Sequence, residues 1–281
     1  MKRSELIRKM ESIVGRGNVL HSRTALLVYE YDASLQRGLP DAVAFAASTE
    51  QISQLVKLAN TAEIPFLPRG SGTNLSGGSV PAKGGIVIEL SRMNRILEID
   101  LKNQRAVVQP GIYNLTLQDA LAPLGYYYAP DPASQKVATL GGNVGENSGG
   151  PLCLKYGVTT NHVLGLEVVL PDGDVVQMGG KALDYPGYDL KGLMVGSEGT
   201  IGIVTKITVR IMRSPEAVKT LLAIYDSVED AGKTVSEIIA EGIIPATLEM
   251  MDRLVMQAVE KSVHAGYPLD AEAVLIIELD G

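Results

Sequence analysis

Three stretches of the chain mix glycine with hydroxyl and amide side chains, a composition suited to holding a ligand rather than to acid–base work. The first is Pro68-Arg69-Gly70-Ser71-Gly72-Thr73-Asn74-Leu75-Ser76-Gly77-Gly78-Ser79. Glycine lets backbone approach a bound group without a Cβ in the way, and successive inward-pointing amides form an anion nest. Ser71, Thr73, Asn74 and Ser79 add side-chain donors. Each bond to a charged phosphate oxygen contributes roughly 1.5–3 kcal/mol, so a handful of them hold a pyrophosphate. The run is not a nicotinamide-binding fingerprint, because Gly70-x-Gly72 lacks the following x-x-Gly. It is not a nucleotide-triphosphatase loop either, because no Gly-Lys-Ser/Thr closes it. Taken alone, it reads equally well as a tight turn between strands.

It is not alone. A second run, Thr139-Leu140-Gly141-Gly142-Asn143-Val144-Gly145-Glu146-Asn147-Ser148-Gly149-Gly150, continues to Lys155-Tyr156-Gly157. The third is Gly196-Ser197-Glu198-Gly199-Thr200-Ile201-Gly202-Ile203-Val204-Thr205. Of 30 glycines in 281 residues, six fall in 70–85, six in 141–157 and five in 187–202. Arg, Asn, Glu, Thr and Pro between them exclude a low-complexity linker. Three such runs suit one long, polar and planar ligand. Other reactive residue types are sparse. His162 reads as structural, His21 and His264 as surface residues, and Cys153 as a buried small apolar side chain. No pair of histidines stands at metal-ligand spacing, so no catalytic base and no metal ligand is assigned.

The elements that must position these runs alternate. A helix opens the chain, with Ser4 as its cap and Ile7, Met10, Ile13 and Val14 on one face. A strand at Ala42–Ala47 precedes a helix begun by the capping box Ser48/Gln51, with Ile52, Leu55, Val56 and Ala59 on one side. Pro65–Pro68 is extended and leads into the first run. Strands follow at Ile86–Leu90, Ile96–Leu101 and Ala106–Gln109, then a helix capped by Asn114, then a strand at Tyr126–Tyr128. The irregular stretch Pro130–Thr160 is long enough to be functional. Pro171-Asp172-Gly173 joins two strands as a hairpin, and Ile201–Met212 alternates as a long strand. From Leu221 a strand–helix–strand–helix–strand order begins a second domain.

Composition bounds the classes. With 25 Lys+Arg against 32 Asp+Glu the net charge is −7, which argues against a nucleic-acid partner. A 46% hydrophobic share excludes wholesale disorder, and one cysteine fits a reducing compartment. No stretch is an apolar membrane span, and Met1–Gly15 does not read as a secretory signal. The expected location is cytoplasmic, or peripheral to a membrane through a partner.

Taken together, Arg69–Asn74, Gly141–Asn143, Asn147–Gly150 with Lys155–Gly157, Val163–Gly173 and Gly196–Thr200 resemble the FAD-binding domain of the vanillyl-alcohol-oxidase or p-cresol methylhydroxylase (PCMH) type. Within it they are similar to the branch of the glycolate oxidase flavin subunit and D-lactate dehydrogenases. The resemblance covers residues 20–281 in order. It implies an α+β, two-subdomain FAD-binding fold, followed by the beginning of a ferredoxin-like α/β substrate (cap) domain. The expected divisions are 1–37 (helical segment), 38–216 (FAD-binding domain) and 217–281 (partial C-terminal domain, ending just after a strand).

The resemblance further implies that Pro68, Arg69, Gly70, Ser71, Gly72, Thr73, Asn74, Gly77, Gly78 and Ser79 wrap the FAD pyrophosphate. Arg69 stands either on the phosphate or as a brace of the loop. Pro132, Thr139, Gly141, Gly142, Asn143, Asn147, Gly149, Gly150 and Gly157 would line the ribityl chain and ring. Glu198, Gly199, Ile203 and Val204 would wall the adenine and ring edges. Thr73 and Asn74 offer no nucleophile for covalent attachment, so FAD is expected to be non-covalent. The implied reaction is oxidation of a D-2-hydroxyacid by hydride transfer to flavin, with an iron–sulfur or quinone/cytochrome electron acceptor. Two other readings stay open. One is a FAD-binding module without its own turnover, needing a further segment or partner chain. The other is a reductase or carbohydrate oxidase on the same fold.

Overall fold

A computed structural model describes residues 1–182 and 186–281. The N-terminal part comprises α1 (Arg3–Val14), β1 (Val19–Leu20), α2 (Arg23–Leu26), β2 (Ala42–Phe45), α3 (Thr49–Ala62), β3 (Phe66–Arg69) and β4 (Ile86–Glu89). Its sheet runs β1-β2-β4-β3, parallel except at β1. Ile52, Leu55, Val56 and Ala59 of α3 have no exposed surface. Helix α3 starts at the expected cap, since Ser48 Oγ accepts from the Gln51 amide, but the box is not closed: Gln51 Oε1 accepts from the Ala47 amide at 2.8 Å rather than from that of Ser48. In contrast, α1 begins two residues earlier than a cap at Ser4 requires. Ser4 lies inside it, and the preceding Lys2 makes no side-chain cap.

The middle part comprises β5 (Ile96–Asp100), β6 (Arg105–Val108), α4 (Asn114–Leu121), β7 (Tyr126–Tyr127), α5 (Leu140–Glu146) and α6 (Cys153–Tyr156). These are followed by β8 (Val163–Val169), β9 (Val175–Gly179), α7 (Leu190–Met194), β10 (Ile203–Arg210) and β11 (Met212–Arg213). An antiparallel sheet runs β5-β6-β10-β8-β9, and β7 pairs with β11. Burial along β10 alternates residue by residue, the period of a strand with one covered face. The Pro171–Gly173 turn joins β8 to β9, with Gly173 at φ +90°. Leu117, Leu121, Tyr128, Leu140 and Val144 pack on Val108, Ile207 and Val209 as a second core. Asn114 is the first residue of α4 rather than its cap. Its amide instead donates to Pro130 O at 2.9 Å.

The two parts meet along α3. Thr49 Oγ1 donates to Glu167 at 2.8 Å, Ser53 Oγ to Gly173 O at 2.6 Å, and Asn60 Nδ2 to Pro171 O at 2.6 Å. Val169 and Ile203, though on the second sheet, sit in the first core.

The C-terminal part follows the expected strand–helix order: β12 (Val218–Tyr225), α8 (Val228–Ala240), β13 (Thr247–Asp252), α9 (Arg253–Val263) and β14 (Ala273–Asp280). Strand β14 lies between β12 and β13, antiparallel to both.

Candidate cofactor site

The three glycine-rich runs converge on one trough. Its lining includes Pro68 to Leu75, Gly78 and Ser79 from the first run. The second contributes Thr139, Gly141 to Asn143, Gly145, Glu146 and Ser148, and the third Ser197 to Gly199, Gly202 and Val204. The runs touch directly. A Cβ on Gly70 would fall 2.2 Å from Thr139 Oγ1, and one on Gly199 would fall 2.5 Å from Pro68 Cγ. The third run is laid on α5 by backbone bonds, Gly196 N to Val144 O at 2.8 Å and Glu198 N to Gly145 O at 2.9 Å.

Along the first run, the amides of residues 71–78 find no protein acceptor among the described residues. Free amides on a concave lining are what an anion requires. The side chains of this run have a different task. Asn74 Nδ2 donates to Asp32 at 2.6 Å, and Asn74 Oδ1 accepts from Ser79 Oγ at 2.7 Å. Arg69, only 6% exposed, donates to Ser79 O at 2.9 Å and Tyr31 O at 2.7 Å, and stacks over Tyr29. Arg69 is therefore the brace of the loop. Of the four side-chain donors expected here, Ser71 and Thr73 have no partner among the described residues, while Ser79 bonds Asn74 and Asn74 bonds Asp32.

On the facing wall, Thr139 caps α5 by accepting from the Gly142 amide. Asn143 is 2% exposed and lines the trough, yet its Nδ2 has no partner among the described residues. A buried donor without an acceptor is costly, so this atom fits an acceptor on a bound group. Two carboxylates also line the trough. Glu146 accepts from Ser76 Oγ at 2.8 Å, and burial, with Glu198 and Asp32 nearby, pushes its carboxyl upward. Glu198 holds a left-handed backbone conformation at φ +52°.

Seven of the expected residues do not line the trough. Gly77 backs onto Gln36 and Ile203 points into the first core. Pro132, Asn147, Gly149, Gly150 and Gly157 belong to flanking segments. There Asn147 accepts from the Thr160 amide, Gly150 packs on Asp131, and Gly157 packs on Asn161. Sequence reasoning missed Leu90, Ser134 and Met194, which enter the lining from outside the runs. It also passed over Leu75, Gly145, Glu146, Ser148, Ser197 and Gly202 within them. Asp32, buried, is a further omission: burial pushes its carboxyl up, but bonds from Ser34 and Asn74 hold it low. Cys153 is exposed, contrary to its expected burial. His162 is structural: 2% exposed, its Nε2 meets Tyr156 O at 2.9 Å, and its ring stands edge-on to Tyr128.

Asp131 bears on the flank of the site. Its Oδ1 accepts from the Leu152 amide at 3.2 Å, and burial, reinforced by Glu249 and Glu278, raises its pKa from 3.8 to about 6. A carboxyl raised on folding binds protons more tightly in the folded chain. Its contribution is therefore whole below pH 4 and is lost as pH climbs through about 6. Thermal midpoints are expected to decline over that interval, and Asp131→Asn is expected to flatten the decline. An unchanged slope in the variant would assign the pH dependence elsewhere.

No helix among the described residues is long and apolar enough to cross a membrane. Residues 40–179 match the family described as FAD binding domain, and residues 214–281 match the C-terminal domain of FAD linked oxidases. The glycolate oxidase subunit GlcD of Bacillus subtilis (strain 168) is 49% identical over 271 residues, covering 96% of this chain and 58% of that protein. A D-lactate dehydrogenase of Anaerostipes hadrus is 38% identical, covering 86% of this chain and 52% of that protein. The chain thus spans little more than half the length of these relatives. Among solved structures, p-cresol methylhydroxylase with substrate bound superposes with a TM-score of 0.80 at 22% identity, covering 99% of this chain and 60% of that one, a likeness of fold. The chain belongs to the FAD-linked oxidases, with a PCMH-type FAD-binding domain as its core and FAD as its cofactor.

Proposed function

We propose that this chain holds FAD non-covalently in the trough and serves the oxidation of a D-2-hydroxyacid of the glycolate or D-lactate class to the 2-oxoacid. The observation that carries the cofactor assignment is the set of unpartnered amides at residues 71–75 and 78 in the same trough lining as the orphaned Asn143 donor. The amides, with Ser71 and Thr73, would bind the pyrophosphate. Asn143 Nδ2 would donate to an acceptor of the ribityl–ring half, and Glu146 and Glu198 would accept from its hydroxyl or amine groups. Bound FAD supplies the hydride acceptor. The protein binds and orients it, and the loops keep water from its polar edges. The hydroxyacid assignment is supported by the names of the relatives, glycolate oxidase subunit and D-lactate dehydrogenase. The word subunit also suggests that electrons leave through another chain, an iron–sulfur or quinone/cytochrome acceptor.

The test is reconstitution. The purified chain incubated with FAD is expected to turn yellow and to release all flavin on acid precipitation. D-lactate or glycolate, added without oxygen, is expected to bleach it. A colourless protein would overturn the cofactor site. Flavin that stays with the acid pellet would overturn non-covalent binding. Bound flavin that neither acid bleaches would remove hydroxyacid turnover from this chain by itself and leave a binding module.

A further inference from the structure

After Ser148 leaves the trough, the chain runs outward and ends in α6, which packs on β13 of the C-terminal part. There Lys155 Nζ pairs with the Asp280 carboxylate and also donates to Asp280 O at 3.2 Å. The Tyr156 hydroxyl donates to the other carboxylate oxygen at 2.6 Å. One side chain, 5% exposed, thus uses both oxygens on neighbouring residues more than 120 positions away. The place is also where the C-terminal part is joined on. The Tyr127 ring stands edge-on to Tyr156 at 6.0 Å. The Tyr127 backbone pairs with Met212, and Ser214 N donates to Gly125 O at 2.9 Å. Ala217 and Gly281 exchange backbone bonds at 3.0 and 3.2 Å. The chain therefore passes into and out of the last sheet at one aromatic pair, and Asp280 ties that pair to the glycine-rich segment.

The same segment is firmly held on its trough side. Ser148 O accepts from the Thr159 amide at 3.1 Å and from Thr159 Oγ1 at 2.7 Å, while Tyr156 O meets His162 Nε2. A continuous set of bonds leads from Asp280 through Tyr156 and His162 to Thr159 and Ser148.

We propose that Asp280 is a positioning residue for the cofactor site, holding Lys155 and Tyr156 so that the segment behind Ser148 keeps that residue in the wall of the trough. Seating of the C-terminal part and FAD affinity are then coupled, and by linkage each strengthens the other by the same factor. The inference rests on the trough being the FAD site.

The test uses the full chain with FAD as probe. Asp280→Asn is expected to weaken FAD binding about tenfold in a flavin-fluorescence titration, the effect of losing one charge-assisted bond. Tyr156→Phe, which removes one neutral donor, is expected to weaken it by about threefold. Reciprocity supplies a readout that a purely structural bond would not move: FAD slows proteolysis of the 212–218 linker in the wild type and ceases to do so in Asp280→Asn. Variants that lose thermal stability but keep wild-type FAD affinity and FAD-dependent protection would overturn the coupling. If the wild type itself fails to bind FAD, the cofactor assignment fails instead, so the two failures are distinguishable. Should Asp280→Asn not fold, Tyr156→Phe carries the same comparison.

Discussion

Gly72→Ala will yield a folded chain that purifies without flavin. Gly72 sits at φ +67°, and a Cβ there would fall 2.3 Å from Arg69 Nη2. A left-handed backbone costs a non-glycine residue about 1–2 kcal/mol. The larger effect is the collision, because the displaced guanidinium is the group that holds Ser79 O and Tyr31 O. With its brace moved, the loop that presents the unpartnered 71–75 amides shifts, and FAD affinity is expected to drop at least about 100-fold, or about 2.7 kcal/mol. Flavin absorbance per protein after reconstitution measures this, beside circular dichroism of the apo chain. Wild-type flavin content in the variant would mean that the first run is a turn and not a nest.

Arg69→Met is expected to lower the stability of the chain with no cofactor present, by about 3 kcal/mol, from two bonds of a charged donor lost at a buried site. Arg69→Lys is expected to restore little, since one ammonium cannot reproduce a planar fork that reaches two carbonyls while stacking on Tyr29. Thermal melts of apo protein decide the matter. If Arg69 served the phosphate instead, apo stability would be unchanged, only FAD affinity would fall, and lysine would rescue part of it.

Much of this architecture is written in local signals. The Ser48 cap, the Pro171–Gly173 turn and the alternation along β10 each depend on residues close in sequence, and each appears where expected. The glycine runs were legible for the same reason: close backbone approach leaves a compositional trace. What a run does residue by residue is less legible. Asn74 and Ser79 have the chemistry of ligand donors, but Asp32, some 40 positions upstream, engages Asn74, and Asn74 engages Ser79. Ile203 and Val204 look alike in sequence, yet the pleat sends one into a core and the other to the trough. Leu90, Ser134 and Met194 carry no motif and arrive through tertiary packing alone. Cys153 is exposed because α6 is a short surface turn.

The two sheets share a border where Val169 and Ile203 cross from one core into the other, and the polar bonds of α3 run along it. The trough draws its walls from both sides of that border: Arg69 of β3 and Leu90 just past β4 on one side, Val204 of β10 on the other. A molecule seated there works as a keystone. On the proposed reading, FAD there would bridge halves that already share a core and the α3 bonds, so occupancy would add stability to both halves at once, growing with the logarithm of FAD concentration over its dissociation constant.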